Sequence, residues 1–213
     1  MSSCVCSSLF RAATRSTIID DIQGKHAIGL ADIMYYYFDF RDSKKQDCYG
    51  LLSSLVLQLS VQSDSCSPIL SKLYSDVGPV LTPTVNALKT CIKDMLSQPG
   101  QGPIYIIVDG LDECPNPLGT RSSHGKVLKV IKELVDLQLP NLHLCVASRP
   151  EIDIQKVLES LNAVQICLHN EPGQEADIVT YITSVVNSNN VPDWTEEDEN
   201  LVVSTLSQKA NGM

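Results

Sequence analysis

Two short apolar runs, IYIIV at Ile104–Val108 and LHLCVA at Leu142–Ala147, are separated by apolar residues at helical spacing. Within that stripe Val127, Leu128, Val130, Ile131, Leu134 and Val135 recur, broken by Lys129, Lys132 and Glu133. Runs this short and rich in β-branched residues fit strands buried on both faces of a sheet. Strand, helix and strand in that order form a crossover unit, which requires parallel pairing and a right-handed connection. The pattern extends to both sides. IMYYYFDF at Ile33–Phe40 and VQICL at Val164–Leu168 read as further strands. Leu51, Leu52, Leu55, Val56 and Leu59 mark one helix, Leu88, Ile92, Met95 and Leu96 another, and Ile154, Val157, Leu158 and Leu161 a shorter one. The expected fold class is α/β, a parallel sheet flanked by helices.

The C-terminal part changes character. Gln174–Val186 is helical in pattern, NSNNVPDW is a loop, and Thr195 opens a last helix with Asp198 placed as its capping-box partner. Loops are marked by RDSKKQD, SQPGQGP and CPNPLGTRSS. With 43% apolar residues the chain can bury a real core. Its formal charge of −9 and lack of a basic run argue against nucleic-acid binding. No apolar stretch approaches the roughly 20 residues that span a bilayer, and MSSCVCSSLFRAATRS has no sustained apolar segment of a secretory signal. The eight cysteines are scattered and form no CxxC pair, which fits reduced thiols in a cytoplasmic protein.

The run at Ile104 ends in IVDGLDE, with Asp109, Asp112 and Glu113 inside one short turn. Carboxylates held so close repel one another, so something must compensate. In an open α/β sheet ligands bind beyond the carboxyl ends of the strands. There Asp109 can hold Mg²⁺ through water, and a second acid can orient an attacking water. A solvated turn leading into a helix accounts for Asp109 equally well. CVASRP places Arg149 after the next strand, at the same edge. Its guanidinium suits phosphate oxygens, and it suits a salt bridge to the acidic turn as well.

YIIVDGLDE, SRP and YYYFDFRDSKKQD resemble the NACHT domain of STAND-class P-loop NTPases, in the fungal branch with nephrocystin-like N-terminal domains found in NOD-like receptors. The resemblance runs from about Ser16 to Met213. It implies a P-loop NTPase-like sheet and Mg²⁺ with ATP or GTP as cofactors. In it Asp109 is the Mg²⁺ aspartate, Asp112 and Glu113 are the water-activating acids, and Arg149 is the sensor arginine. It divides the chain into a divergent segment 1–15, a partial NACHT core 16–172, and the start of a helical region at 173–213. Homotypic NACHT association is the partner it implies. The family order makes the strands at Ile33, Ile104 and Leu142 neighbours, and puts Val164–Leu168 across the place of the family's central first strand.

That first strand normally leads into GxxxxGK[ST], whose backbone N–H groups cradle phosphates. The motif is absent. Gly24-Lys25-His26 has Ile19 where the first glycine belongs, and Gly125-Lys126-Val127 has Gly119 one residue too far upstream and no hydroxyl. MSSCVCSSLF stands where the first strand belongs and contains no glycine. The expectation is a truncated family member, its central first strand missing or replaced, impaired in nucleotide binding and without hydrolysis. The alternative is a non-catalytic or decayed fragment that docks on intact NACHT proteins. No GxSxG or HExxH occurs, and His26, His124, His143 and His169 show no metal-ligand spacing.

Overall fold

The computed structural model describes residues 4–7, 22–78, 81–114, 123–149, 151–161, 164–167, 174–188 and 194–210. The chain forms two compact units, Met1–Ile166 and Cys167–Met213. Five strands make one sheet: β1 (Cys4–Ser7), β2 (Asp32–Tyr37), β3 (Ile104–Asp109), β4 (Leu142–Ser148) and β5 (Val164–Cys167), in the order β2-β3-β4-β1-β5. The pairs β2/β3, β3/β4 and β4/β1 are parallel. The three neighbours expected from the family order are adjacent. The place of the central first strand is filled by Cys4–Ser7, with Cys4 opposite Cys145 and Ser7 opposite Ser148. Four residues of CVCS carry too little pattern to declare a strand; the open ladder of β4 supplies the hydrogen-bond partners.

Seven helices follow in chain order among the described residues: α1 (Cys48–Gln62), α2 (Ser67–Val77), α3 (Val85–Leu96), α4 (Ser123–Val135), α5 (Ile152–Glu159), α6 (Gln174–Ser188) and α7 (Glu196–Ala210). Residues 22–27 are helical as well. Asp47 caps α1 by accepting from Gly50 N–H at 2.8 Å, and Thr84 caps α3 by accepting from Ala87 N–H at 3.2 Å. In the second unit α6 and α7 pack on each other, and Thr195 and Asp198 form the reciprocal cap of α7.

The apolar stripes seen in the sequence converge on one sheet face. Met34, Ile104 and Ile106 lie there, all fully buried, in one cluster with Leu51, Leu52 and Leu55 of α1, Ile92 and Met95 of α3, and Ile131 of α4. Each such side chain contributes about 1.5–3 kcal/mol through burial. The alternate residues of the strands, Ile33 and Ile107, pack with Ile22 in a smaller cluster. Cys48, Cys66, Cys91 and Cys114 are free thiols and buried, and burial pushes the Cys114 thiol up to about 12.

One expectation needs adjustment. The strand read as Ile33–Phe40 ends at Tyr37, because its partner β3 ends at Asp109, directly opposite. One last bond, Phe38 N–H to Asp109 C=O at 2.9 Å, closes the pair before both chains turn away. The last strand runs Val164–Cys167, and Leu168 lies outside the described residues. Helix α2 is not among the helices expected, although Ile69, Leu70 and Leu73 recur at helical spacing. None of its residues is fully buried; those three pack half-buried against the core, and Pro68 sits in its first turn.

Candidate functional site

The acidic turn is built around two residues that carry no charge. Gly110 adopts a left-handed conformation, φ 68° and ψ 34°, and a Cβ there would meet the Phe38 carbonyl at 3.1 Å. The small residue after Asp109 is therefore required twice, by dihedral and by space. Leu111 is fully buried and anchors the single 3₁₀ turn Leu111–Glu113 in the core. With Leu111 pointing inward, the acids on either side of it diverge.

Each acid finds a different partner. Asp109 is 6% exposed, and its Oδ1 accepts from Gly110 N–H at 2.7 Å. Asp112 reaches the end of β4: its Oδ1 accepts from Arg149 N–H at 3.0 Å and from Ser148 Oγ at 3.4 Å. Its Oδ2 lies 3.5 Å from Arg149 Nε. Glu113 turns the other way, toward the end of β2, where its Oε2 accepts from Phe40 N–H at 3.4 Å. The repulsion posed by three carboxylates in one turn is thus met by three backbone amides, one for each acid, and by the Arg149 guanidinium. Asp109, Asp112, Glu113 and Arg149 come together at the carboxyl edge of the sheet. Behind them Cys114 closes the turn, with its thiol donating to Gln46 C=O at 3.1 Å and its carbonyl 3.4 Å from Nδ1 of buried His124. His124 Nε2 in turn lies 3.6 Å from Asp153 on α5.

Sequence reasoning missed two charged residues of this edge. Asp39 and Arg41 follow β2, and Arg41 grips Asp39 in a fork, Nε to Oδ1 at 3.0 Å and the terminal nitrogen to Oδ2 at 3.1 Å. The Arg41 guanidinium also sits 5.7 Å from the Phe40 ring centroid. By sequence Asp39 falls inside the strand Ile33–Phe40 and Arg41 inside the loop RDSKKQD, yet their place at the end of a parallel strand was the available signal. The Arg41 side-chain and backbone hydrogen bonds hold the Asp39 carboxyl down at about 2. Because its folded-state value is depressed, the pair is intact above the ordinary aspartate range and is lost as pH falls through about 2. Carbon NMR should show Asp39 titrating near 2, and Arg41→Ala should return it toward about 3.9.

Neither GK pair forms a phosphate loop. Gly24-Lys25 lies within the helical residues 22–27, and Gly125-Lys126 lies inside α4. The segment after β1, residues 8–21, is outside the described residues. For Mg²⁺ the chemistry of the edge fits in part. A carboxylate offers about four lone-pair sites, so one hydrogen bond does not saturate it. Mg²⁺ keeps most of its water and takes only one or two carboxylates. Among the described residues no group of three or more His, Cys, Asp or Glu side chains is arranged to hold a metal. An ion at this edge would therefore keep its water, and among the described residues no site closed by protein ligands is built. No helix among the described residues is long and apolar enough to cross a membrane.

Fold and edge together define an α/β domain with three parallel strand pairs, whose carboxyl edge carries a turn of acids faced by an arginine. The family model described as "Nephrocystin 3, N-terminal" matches residues 13–149, from before the first described helix to Arg149 itself. The chain belongs to that family. No curated protein matches it. Among solved structures, a chain of "Structure of Drosophila ORC bound to AT-rich DNA and Cdc6" is similar over 100% of this chain and 65% of its own, at 15% identity and a TM-score of 0.43. A likeness that distant assigns no ligand or partner.

Proposed function

We propose that the chain is a NACHT-type nucleotide-binding module of a NOD-like signalling protein in the fungal STAND branch, weakened in its hold on nucleotide. The observation that carries this is the acidic turn at the carboxyl edge of the sheet, inside the region matched by the family model. In this reading Asp109 holds hydrated Mg²⁺, Asp112 and Glu113 are the acids that orient water, and Arg149 meets the terminal phosphate of ATP or GTP. The weakness follows from chemistry. The sequence has no glycine-rich loop with its Lys and hydroxyl, so the phosphates would face three acids with Arg149 and Arg41 as the nearby cations. Losing one preorganised electrostatic contact costs about 3–4 kcal/mol, and several are missing.

Titration calorimetry with Mg-ATP and Mg-GTP tests this. The expected result is binding weaker than millimolar, or none, and no hydrolysis. Micromolar binding abolished by Asp109→Ala would support the nucleotide module and overturn its weakness. Micromolar binding indifferent to that substitution would overturn the site itself.

A second reading, a non-catalytic module that associates with other NACHT domains, is favoured by one feature. Asp112 is already held by the Arg149 N–H and the Ser148 hydroxyl, with the Arg149 guanidinium beside it, so this part of the edge has partners without a ligand. Co-sedimentation with an intact NACHT domain distinguishes it from the first.

A further inference from the structure

Strand β2 is the outer strand of the sheet, and its outward backbone groups would ordinarily present a template to another strand. Here side chains of the same chain occupy them. Gln62 Oε1 accepts from Ile33 N–H at 2.9 Å while its Nε2 donates to Ile33 C=O at 2.7 Å. Gln58 Oε1 accepts from Tyr35 N–H at 3.0 Å while its Nε2 donates to Tyr35 C=O at 2.9 Å. Each carboxamide thus pairs with one residue as a neighbouring peptide group would. The spacing allows it: four residues along a helix rise about 6.0 Å, and two along a strand about 6.6 Å. Ser54 Oγ and the Gln58 carbonyl accept from the amide nitrogens of Gln58 and Gln62, at 2.8 Å and 3.0 Å, and hold them in place. The row continues at both ends, with His26 Nδ1 3.0 Å from Ala31 C=O and Asp39 N–H donating to Lys45 C=O at 3.3 Å. One position before each glutamine stands an exposed apolar residue, Leu57 at 59% and Val61 at 77% exposure.

We propose that Gln58 and Gln62 make the last two turns of α1 a side-chain strand that closes β2 against strand addition by a second copy of this chain. The paired bonds satisfy the edge locally, and the flanking Leu57 and Val61 would reward a second copy if the edge were opened. A second copy is the occupant because it brings the same edge, with the same outward groups and the same apolar flank, so the contact is self-complementary. This inference is independent of nucleotide binding.

Sedimentation velocity of the full chain over a concentration series, with amide exchange, tests it. In the Gln58→Ala/Gln62→Ala variant, exchange at Ile33 and Tyr35 should quicken about fivefold in dilute solution, the effect of one net hydrogen bond. At higher concentration a β-rich assembly absent from the parent should form. Adding Tyr35→Pro removes an outward donor, which an edge strand tolerates, and should prevent that assembly. Unchanged sedimentation in a folded double variant overturns the proposal, and so does an assembly that survives Tyr35→Pro. If the double variant fails to fold, each single alanine variant is read by the same two criteria.

Discussion

Asp112→Ala is expected to lower the unfolding free energy by about 3 kcal/mol, although the residue lies in a turn. Its carboxylate is only 7% exposed and ties the acidic turn to the end of β4. The Arg149 N–H bond, at 3.0 Å to a charged acceptor, is the principal loss, worth about 1.5–3 kcal/mol. The Arg149 side chain is 57% exposed, so its ion pair adds only about 0–1 kcal/mol. Ser148 is buried, and its hydroxyl keeps a second partner, the Arg149 carbonyl at 2.9 Å. Asp112→Asn preserves an acceptor for the backbone N–H and should cost about 1 kcal/mol. Urea unfolding of the two variants separates the contributions. Equal losses in both would mean that charge, and not the backbone bond, holds the turn.

Gly50→Ala should destabilise by about 2 kcal/mol, against the direction of helix propensity. Alanine within a helix is favoured over glycine by about 1 kcal/mol. At this position, however, the added Cβ would lie 2.5 Å from the Lys44 carbonyl and 2.5 Å from the Tyr36 hydroxyl. Tyr36 cannot swing away, since its ring is buried edge-on against Phe38 at 4.9 Å. Burial, with Asp47 and Asp42 nearby, also pushes the Tyr36 hydroxyl above the ordinary tyrosine range, so it stays a proton donor, 3.4 Å from the Lys44 carbonyl. Overpacking of this kind costs about 1–3 kcal/mol, and more when a backbone atom must move. Calorimetry should show Tm falling by about 4–8 °C for a unit of this size. A rise in Tm would show that the first turn of α1 can shift to admit a methyl.

Much of the fold was legible before any coordinates. β-Branched runs declared β3 and β4, and helical stripes declared α1, α3, α4 and α5, because burial on both faces or on one stripe leaves a periodic trace. The acids that follow the run at Ile104 marked a short turn at a strand end, and CVASRP placed Arg149 at the same edge. The roles of those residues toward a nucleotide came from family resemblance and remain for calorimetry to decide.

Other features had no local trace. Cys4–Ser7 is a strand because β4 has an unfilled side, a fact about the sheet and not about CVCS. The Asp39–Arg41 fork became part of the acidic rim only when β2 and β3 paired in register and stopped together. Gln58 and Gln62 look like ordinary polar positions on a helix, and their partners lie 23 and 29 residues away. A sequence records what each residue prefers to bury; which backbone group a polar side chain will meet is decided only when helix and strand are packed side by side.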